Sequence, residues 1–135
     1  RMRWKSGAKA TDNLKPPLRL DVTSTDWPLD HADAVVSVNM IHIAPWAACE
    51  GLLSGAARLL PTGGALFLYG PYFIDGRPIA PSNHAFDASL KQRNPEWGIR
   101  DLGAIDAAAA SRGLDRTELI DMPANNFAVV YRRRA

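Results

Sequence analysis

The sequence is poor in several things that would declare a function outright. Among its 135 residues there is one cysteine, Cys49, so no internal disulfide can form. The three histidines, His31, His42 and His84, have no ligand spacing with one another or with Cys49, and a metal site is not expected. No apolar run approaches the ~20 residues that a membrane-spanning helix needs. There is no G-x-G-x-x-G, no Walker loop, no G-x-S-x-G elbow and no H-E-x-x-H. Charge of one sign is also scarce: the net value is +2, and much of the excess lies in Arg1, Arg3, Lys5 and Arg132, Arg133, Arg134. Those terminal cations have no interleaved aromatics, so they read as solvated ends and not as a nucleic-acid site. With no charged-then-apolar leader, a reducing, cytoplasmic home is expected.

What is present is an ordinary globular composition, 47% hydrophobic and 22% charged, in a length that suits one domain. Residues 1–15 show no periodicity and read as a flexible lead-in, with Trp4 as a possible anchor; a start at Arg1-Met2 looks unlike a complete N-terminus. Residues 16–135 read as a single α/β domain. After Pro16-Pro17, the alternating segment Leu18 to Thr23 predicts a short strand with Asp21 near its carboxyl end. Asp21 fits a turn or cap carboxylate as well as a ligand contact.

The centre of the chain is Asp33 to Pro71. Two apolar runs, Ala34 to Val38 and Ala65 to Tyr69, flank a segment, Ala47 to Leu60, with Leu52, Leu53, Ala56, Leu59 and Leu60 at helical spacing. Pro61 and Gly63-Gly64 end that helix. The pattern predicts a βαβ unit whose parallel strands are buried on both faces, with binding groups just past their carboxyl ends. Further along, Ser82 or Asn83 is the expected N-cap of a helix fading at Asn94-Pro95. Asp101 should cap a helix over Leu102 to Arg112, ended by Gly113. Leu114 to Met122 and Phe127 to Arg132, around Pro123-Ala124-Asn125-Asn126, predict a hairpin.

His42 follows a strand by a few positions, where a side chain can reach a ligand, so it is the candidate general base; the alternative is a histidine bonded to a loop carbonyl. Trp46, Tyr69, Tyr72, Phe86 and Trp97 could wall an apolar pocket. Asn83, Asp87, Arg100 and Asp101 form a polar tract suited to binding. Cys49 reads as a small packed residue rather than a nucleophile served by His42.

These residues resemble the second half of a class I S-adenosylmethionine-dependent methyltransferase, most closely the methyltransferase-like 26 type and its bacterial relatives. The resembling motifs are Asn39 to Trp46, Leu68 to Tyr72, Ser82-Asn83 with Phe86-Asp87 and Ser89-Leu90, Asn94-Pro95 with Trp97 to Asp101, and Met122 to Asn126; they cover residues 16 to 134. The resemblance implies a truncated Rossmann-like sheet with helices on its faces and a C-terminal antiparallel hairpin. It implies S-adenosylmethionine as cofactor, with Asp21 and Val22 beside its adenine and Asn39, Met40 and Ile41 beside its methionine moiety. His42 would be the base, and Trp46, Tyr69, Tyr72, Asn83, Phe86, Trp97 and Arg100 would face a small-molecule acceptor.

The family's Gly-rich loop and two βα units, roughly 60 residues at about 30 per unit, have no match in this sequence. In the family those units lie between the strands matched by Leu18 to Thr23 and Ala34 to Val38. The edge of the 34–38 strand should therefore be bare, and either the first strand or a second copy of the chain is expected to cover it. Two other function classes fit the same residues: a non-catalytic oligomeric binding module, and a cofactor-independent hydrolase using His42, Asp21 and Cys49. No nucleic-acid or membrane partner is expected.

Overall fold

The computed structural model describes residues 14–135; Trp4 and most of the expected lead-in lie outside them. Strand β1 spans Ala34–Val38, followed by a single 3₁₀ turn, Met40–His42, and helix α1, Trp46–Leu59. Strand β2 (Ala65–Gly70), helices α2 (Pro81–Arg93) and α3 (Leu102–Ala110), and strands β3 (Leu114–Met122) and β4 (Asn126–Arg133) complete the order. The sheet order is β1-β2-β4-β3, with β1 parallel to β2 and the other pairs antiparallel. The βαβ unit, the α3 cap at Asp101 and the hairpin are as the sequence predicts; Asp101 accepts the Ala104 N–H at 3.0 Å.

One face of this sheet carries the core. Leu66 pairs with Tyr131 and Leu68 with Val129, and all four are buried against Leu52, Leu53 and Ala56 of α1 and Leu102, Ile105 and Ala109 of α3. The Tyr131 hydroxyl donates to Asp106 Oδ1 at 2.6 Å, which satisfies the one polar atom this ring takes inside.

The opposite face corrects an expectation. Val36 and Val38 are 66% and 57% exposed, and Phe67, the cross-strand partner of Val36, is also exposed. The strands were expected to be buried on both faces because they are apolar throughout, yet the described helices α1 and α3 pack on one side only, and β1 is an edge strand.

Leu18 to Thr23 forms no strand. The Asp21 carboxylate takes the Thr23 N–H at 3.0 Å and its hydroxyl at 2.6 Å, and the Asp21 carbonyl takes the Ser24 N–H, so local turn bonds win over a ladder. Nor does this segment cover the β1 edge. It runs along α1 instead, where Gly51 and Gly55 leave room for the Val22 carbonyl and the Trp27 ring; a Cβ on either glycine would collide with them. Arg58 stacks over Trp27 at 5.6 Å, and the Ala32 N–H reaches the Leu59 carbonyl.

Helix α2 is capped differently from expectation. Ala80 is its N-cap and Pro81 its first residue, a position where the missing N–H costs nothing. Asn83 lies within the first turn, and its side chain donates to the Asn125 carbonyl at 3.3 Å.

Candidate active site

The carboxyl ends of β1 and β2 converge on Asn39, His42 and Gly70. Asn39 leaves β1 in the left-handed conformation (φ 61°), which a short amide side chain tolerates, and the chain turns at once into the Met40–His42 turn. That turn buries Ile41 and His42 completely or nearly so. Gly70 supplies the other side of the site. A Cβ built on it would lie 2.5 Å from Asn39 Oδ1 and 3.2 Å from His42 Nε2. Both of these polar atoms are buried and have no hydrogen-bond partner among the described residues.

The tautomer of His42 follows from its other nitrogen. Nδ1 accepts the Arg100 main-chain N–H at 3.1 Å, so the ring proton is assigned to Nε2. Burial, with help from the Arg100 guanidinium, pushes the imidazole down to about 4, against the opposing pull of the Gly98 and Pro71 carbonyls and Asp87. At neutral pH the ring is uncharged, with a donor at Nε2 facing the Gly70 notch. Tyr72 packs edge-on against it at 4.9 Å, and burial raises that phenol's pKa as well.

A dense set of bonds holds this geometry. The Arg100 guanidinium donates to the carbonyls of Ile41 (2.9 Å), Ala44 (2.5 Å) and Glu96 (2.8 Å), and lies 5.7 Å over Trp46. The Gly98 N–H reaches the His42 carbonyl at 2.9 Å, and the Ile99 N–H reaches Asp87 Oδ1 at 2.9 Å. Lys91 closes the other carboxylate oxygen of Asp87 at 2.8 Å. The tract 94–101 is thereby tied to both α2 and the 39–46 loop.

The expected site residues separate into groups. Asn39 and His42 meet at Gly70. Met40 is half-buried, and Ile41 is packed into the core. Arg100 and Trp46 brace the loop from outside, and Trp97 stacks under Arg93 at 5.3 Å. Tyr69 is half-buried beside Val38, and Phe86 sits on the exposed side of α2. Asp21 is at the surface in its own turn, and Val22 lies against Gly51. Cys49 is fully buried, which pushes its thiol up to about 12 and leaves it a packed core residue.

Tyr72 and Asn83 line a separate, small cleft of about 70 Å³ between the 72–80 segment and the hairpin turn. Arg77, Ile79, Asn125 and Phe127 complete most of its wall. Arg77, Ile79 and Phe127 do not stand out by motif, whereas Asn125 belongs to the Met122 to Asn126 motif; only the hairpin's return brings Phe127 to the loop after β2. Gly70 falls where the sequence places binding groups, just past the carboxyl end of the second apolar run, and a glycine ending a strand is a sign of close approach. Among the described residues no group of His, Cys, Asp and Glu could hold a metal ion, and no helix is long and apolar enough to cross a membrane.

The parallel pair, its crossover helix and the reversed hairpin strand make a Rossmann-like fold. Human N-acetylserotonin methyltransferase, solved in complex with SAM, superposes with a TM-score of 0.74 at 16% identity, over 87% of this chain and 33% of that one. An O-methyltransferase family protein from Burkholderia thailandensis matches with a TM-score of 0.73 at 15% identity, over 87% of this chain and 35% of its own. An O-methyltransferase family 2 protein from Planctomyces limnophilus, in complex with apigenin, gives 0.72 at 19% identity, over 84% and 34%. The chain thus spans about a third of the length of these proteins. By sequence, residues 2–133 match the family described as protein of unknown function, DUF938, and the chain belongs to that family.

Proposed function

We propose that this chain forms the acceptor-side part of an S-adenosylmethionine-dependent methyltransferase for small molecules, of the methyltransferase-like 26 type. The observation that carries this is the notch at the ends of β1 and β2. Asn39 Oδ1, an acceptor, and His42 Nε2, a donor, are both buried without partners among the described residues, and they close on Gly70 so tightly that a Cβ there would meet them. A pair of this kind suits a group with both donor and acceptor character, such as the amino-acid end of the cofactor or the hydroxyl of an acceptor. The cofactor, when bound, supplies a methyl group on a positively charged sulfur.

The rest is positioning. Asn39 and the Met40 backbone would hold the cofactor's methionine end, and Asp21 with Val22 its adenine. Because Nδ1 is already engaged by Arg100, His42 serves as a hydrogen-bond donor that orients the acceptor rather than as its base. Trp46 and Arg100 keep the loop in place. Calorimetric titration with S-adenosylhomocysteine tests the proposal: measurable binding is expected, and no heat at ~1 mM ligand, a threshold worth only about 4 kcal/mol, removes it.

A second reading, a non-catalytic assembly module, is favoured by one feature. The β1 edge is uncharged from Ala34 to Val38, and it adjoins the exposed Val36, Val38 and Phe67. An antiparallel pairing of two such edges would set Val36 against Val36 of a second copy and bury both patches. We propose this homodimer as compatible with the enzymatic reading, and a cytoplasmic setting as the one that suits the single buried thiol.

A further inference from the structure

The cleft between the 72–80 segment and the hairpin turn differs in character from the notch. Its walls combine apolar groups, from Ile74, Pro78, Ile79 and Phe127 with the buried Tyr72 among them, with the polar side chains of Arg77, Asn83 and Asn125. The cleft is small, about 70 Å³, and open to solvent on one side, which leaves room for no more than a single ring with short substituents. Among the described residues the one cation lining it is Arg77, whose guanidinium lies 5.6 Å from the Phe127 ring.

Arg77 is tied only lightly. Its Nη1 reaches Asp121 Oδ1 at 3.1 Å, and the two side chains are 47% and 78% exposed. An ion pair this open to water contributes close to nothing, so a ligand carboxylate can take the place of Asp121 with little loss. A guanidinium offers a planar fork that matches a carboxylate with two parallel bonds, and the Phe127 face keeps that fork flat. The amides of Asn83 and Asn125 add neutral polar groups, with Asn83 held by the Asn125 carbonyl.

We propose that this cleft binds a small aromatic carboxylate, with Arg77 holding the carboxylate and the Ile79–Phe127 walls enclosing the ring. That this ligand is the methyl acceptor rests on the proposed function; that it binds does not. The test is an NMR titration of the full chain, without cofactor, against sodium benzoate, benzamide, acetate and inorganic phosphate, following the Asn83 side-chain amide and Phe127.

Benzoate should bind at least ~10-fold tighter than the other three, because only it joins ring burial to a charge-assisted pair. Arg77→Gln should cost about 10-fold or more in benzoate affinity. Asp121→Asn, at an exposed site, should tighten binding by several-fold because it frees the guanidinium. Equal binding of benzamide or of phosphate, or weaker binding in Asp121→Asn, overturns the proposal. If benzoate binds and S-adenosylhomocysteine does not, the methyltransferase role falls and the carboxylate site stands; the reverse result removes the carboxylate site alone.

Discussion

The main-chain N–H of Arg100 donates to Nδ1 of His42, and the same residue's guanidinium closes on the carbonyls of Ile41 and Ala44 to either side of that histidine. One residue therefore fixes both the tautomer of the ring and the path of the loop that carries it. The imidazole is left neutral, inside, and pointing a donor at the Gly70 notch.

Stability should fall as pH drops from about 6.5 to about 4. The folded value of His42 lies near 4 and the unfolded value near 6.5, so in that window the unfolded chain binds the extra proton. His42 alone then accounts for a loss of ~3 kcal/mol across the window, at about 1.4 kcal/mol per unit, and no further loss below it. Urea melts at pH 7 and pH 4 check this. A His42→Gln variant should show a clearly shallower dependence, and an unchanged one contradicts the assignment.

Gly70→Ala should force Asn39 and His42 apart. The added methyl would sit within 2.5 Å of Asn39 Oδ1, so the loop has to yield, at a cost of about 1–3 kcal/mol. Thermal denaturation measures that cost. In the same variant, titration with S-adenosylhomocysteine should show loss of binding; retention would separate the notch from the cofactor.

Gly55→Ala should displace Trp27 from α1. The ring occupies the space where the new methyl would stand, so its emission should shift to the red and the fold should weaken by about 1–3 kcal/mol. The fluorescence of a Trp27→Phe control identifies which of the four tryptophans responds.

Sedimentation equilibrium tests the proposed dimer. The wild-type chain should show concentration-dependent mass, and Val36→Lys, which places a charge in the middle of the exposed edge, should make it monomeric with an unchanged melting profile at low concentration. A wild-type monomer at all concentrations ends that idea.

Much of the fold was legible because local and tertiary signals agree in α1, β2 and the hairpin: the leucines of α1 repeat at helical spacing, and Pro61 with Gly63 stops it. The exposure of Val36 and Val38 was not legible, since an apolar strand reads the same whether or not a helix covers its second face. Leu18 to Thr23 alternates like a strand, but alternation cannot register that Asp21 bonds Thr23 or that Gly51 offers a seat for Val22. At the site, His42 and Asn39 announced themselves by position after a strand. Arg77 and Phe127 did not, because their roles exist only once β4 lies beside β2 and the hairpin turn meets the loop after it.

The placement of β4 between β2 and β3 sets the order in which the sheet can assemble. The βαβ unit is local in sequence, but the middle of the sheet is made by Leu66 with Tyr131 and Leu68 with Val129, pairs far apart along the chain. Closing that span costs chain entropy before the β2–β4 pairing repays it, and non-local pairing of this kind slows folding. Until then β2 is an unpaired apolar edge, and the nascent chain's demand for a chaperone should be greatest in that interval.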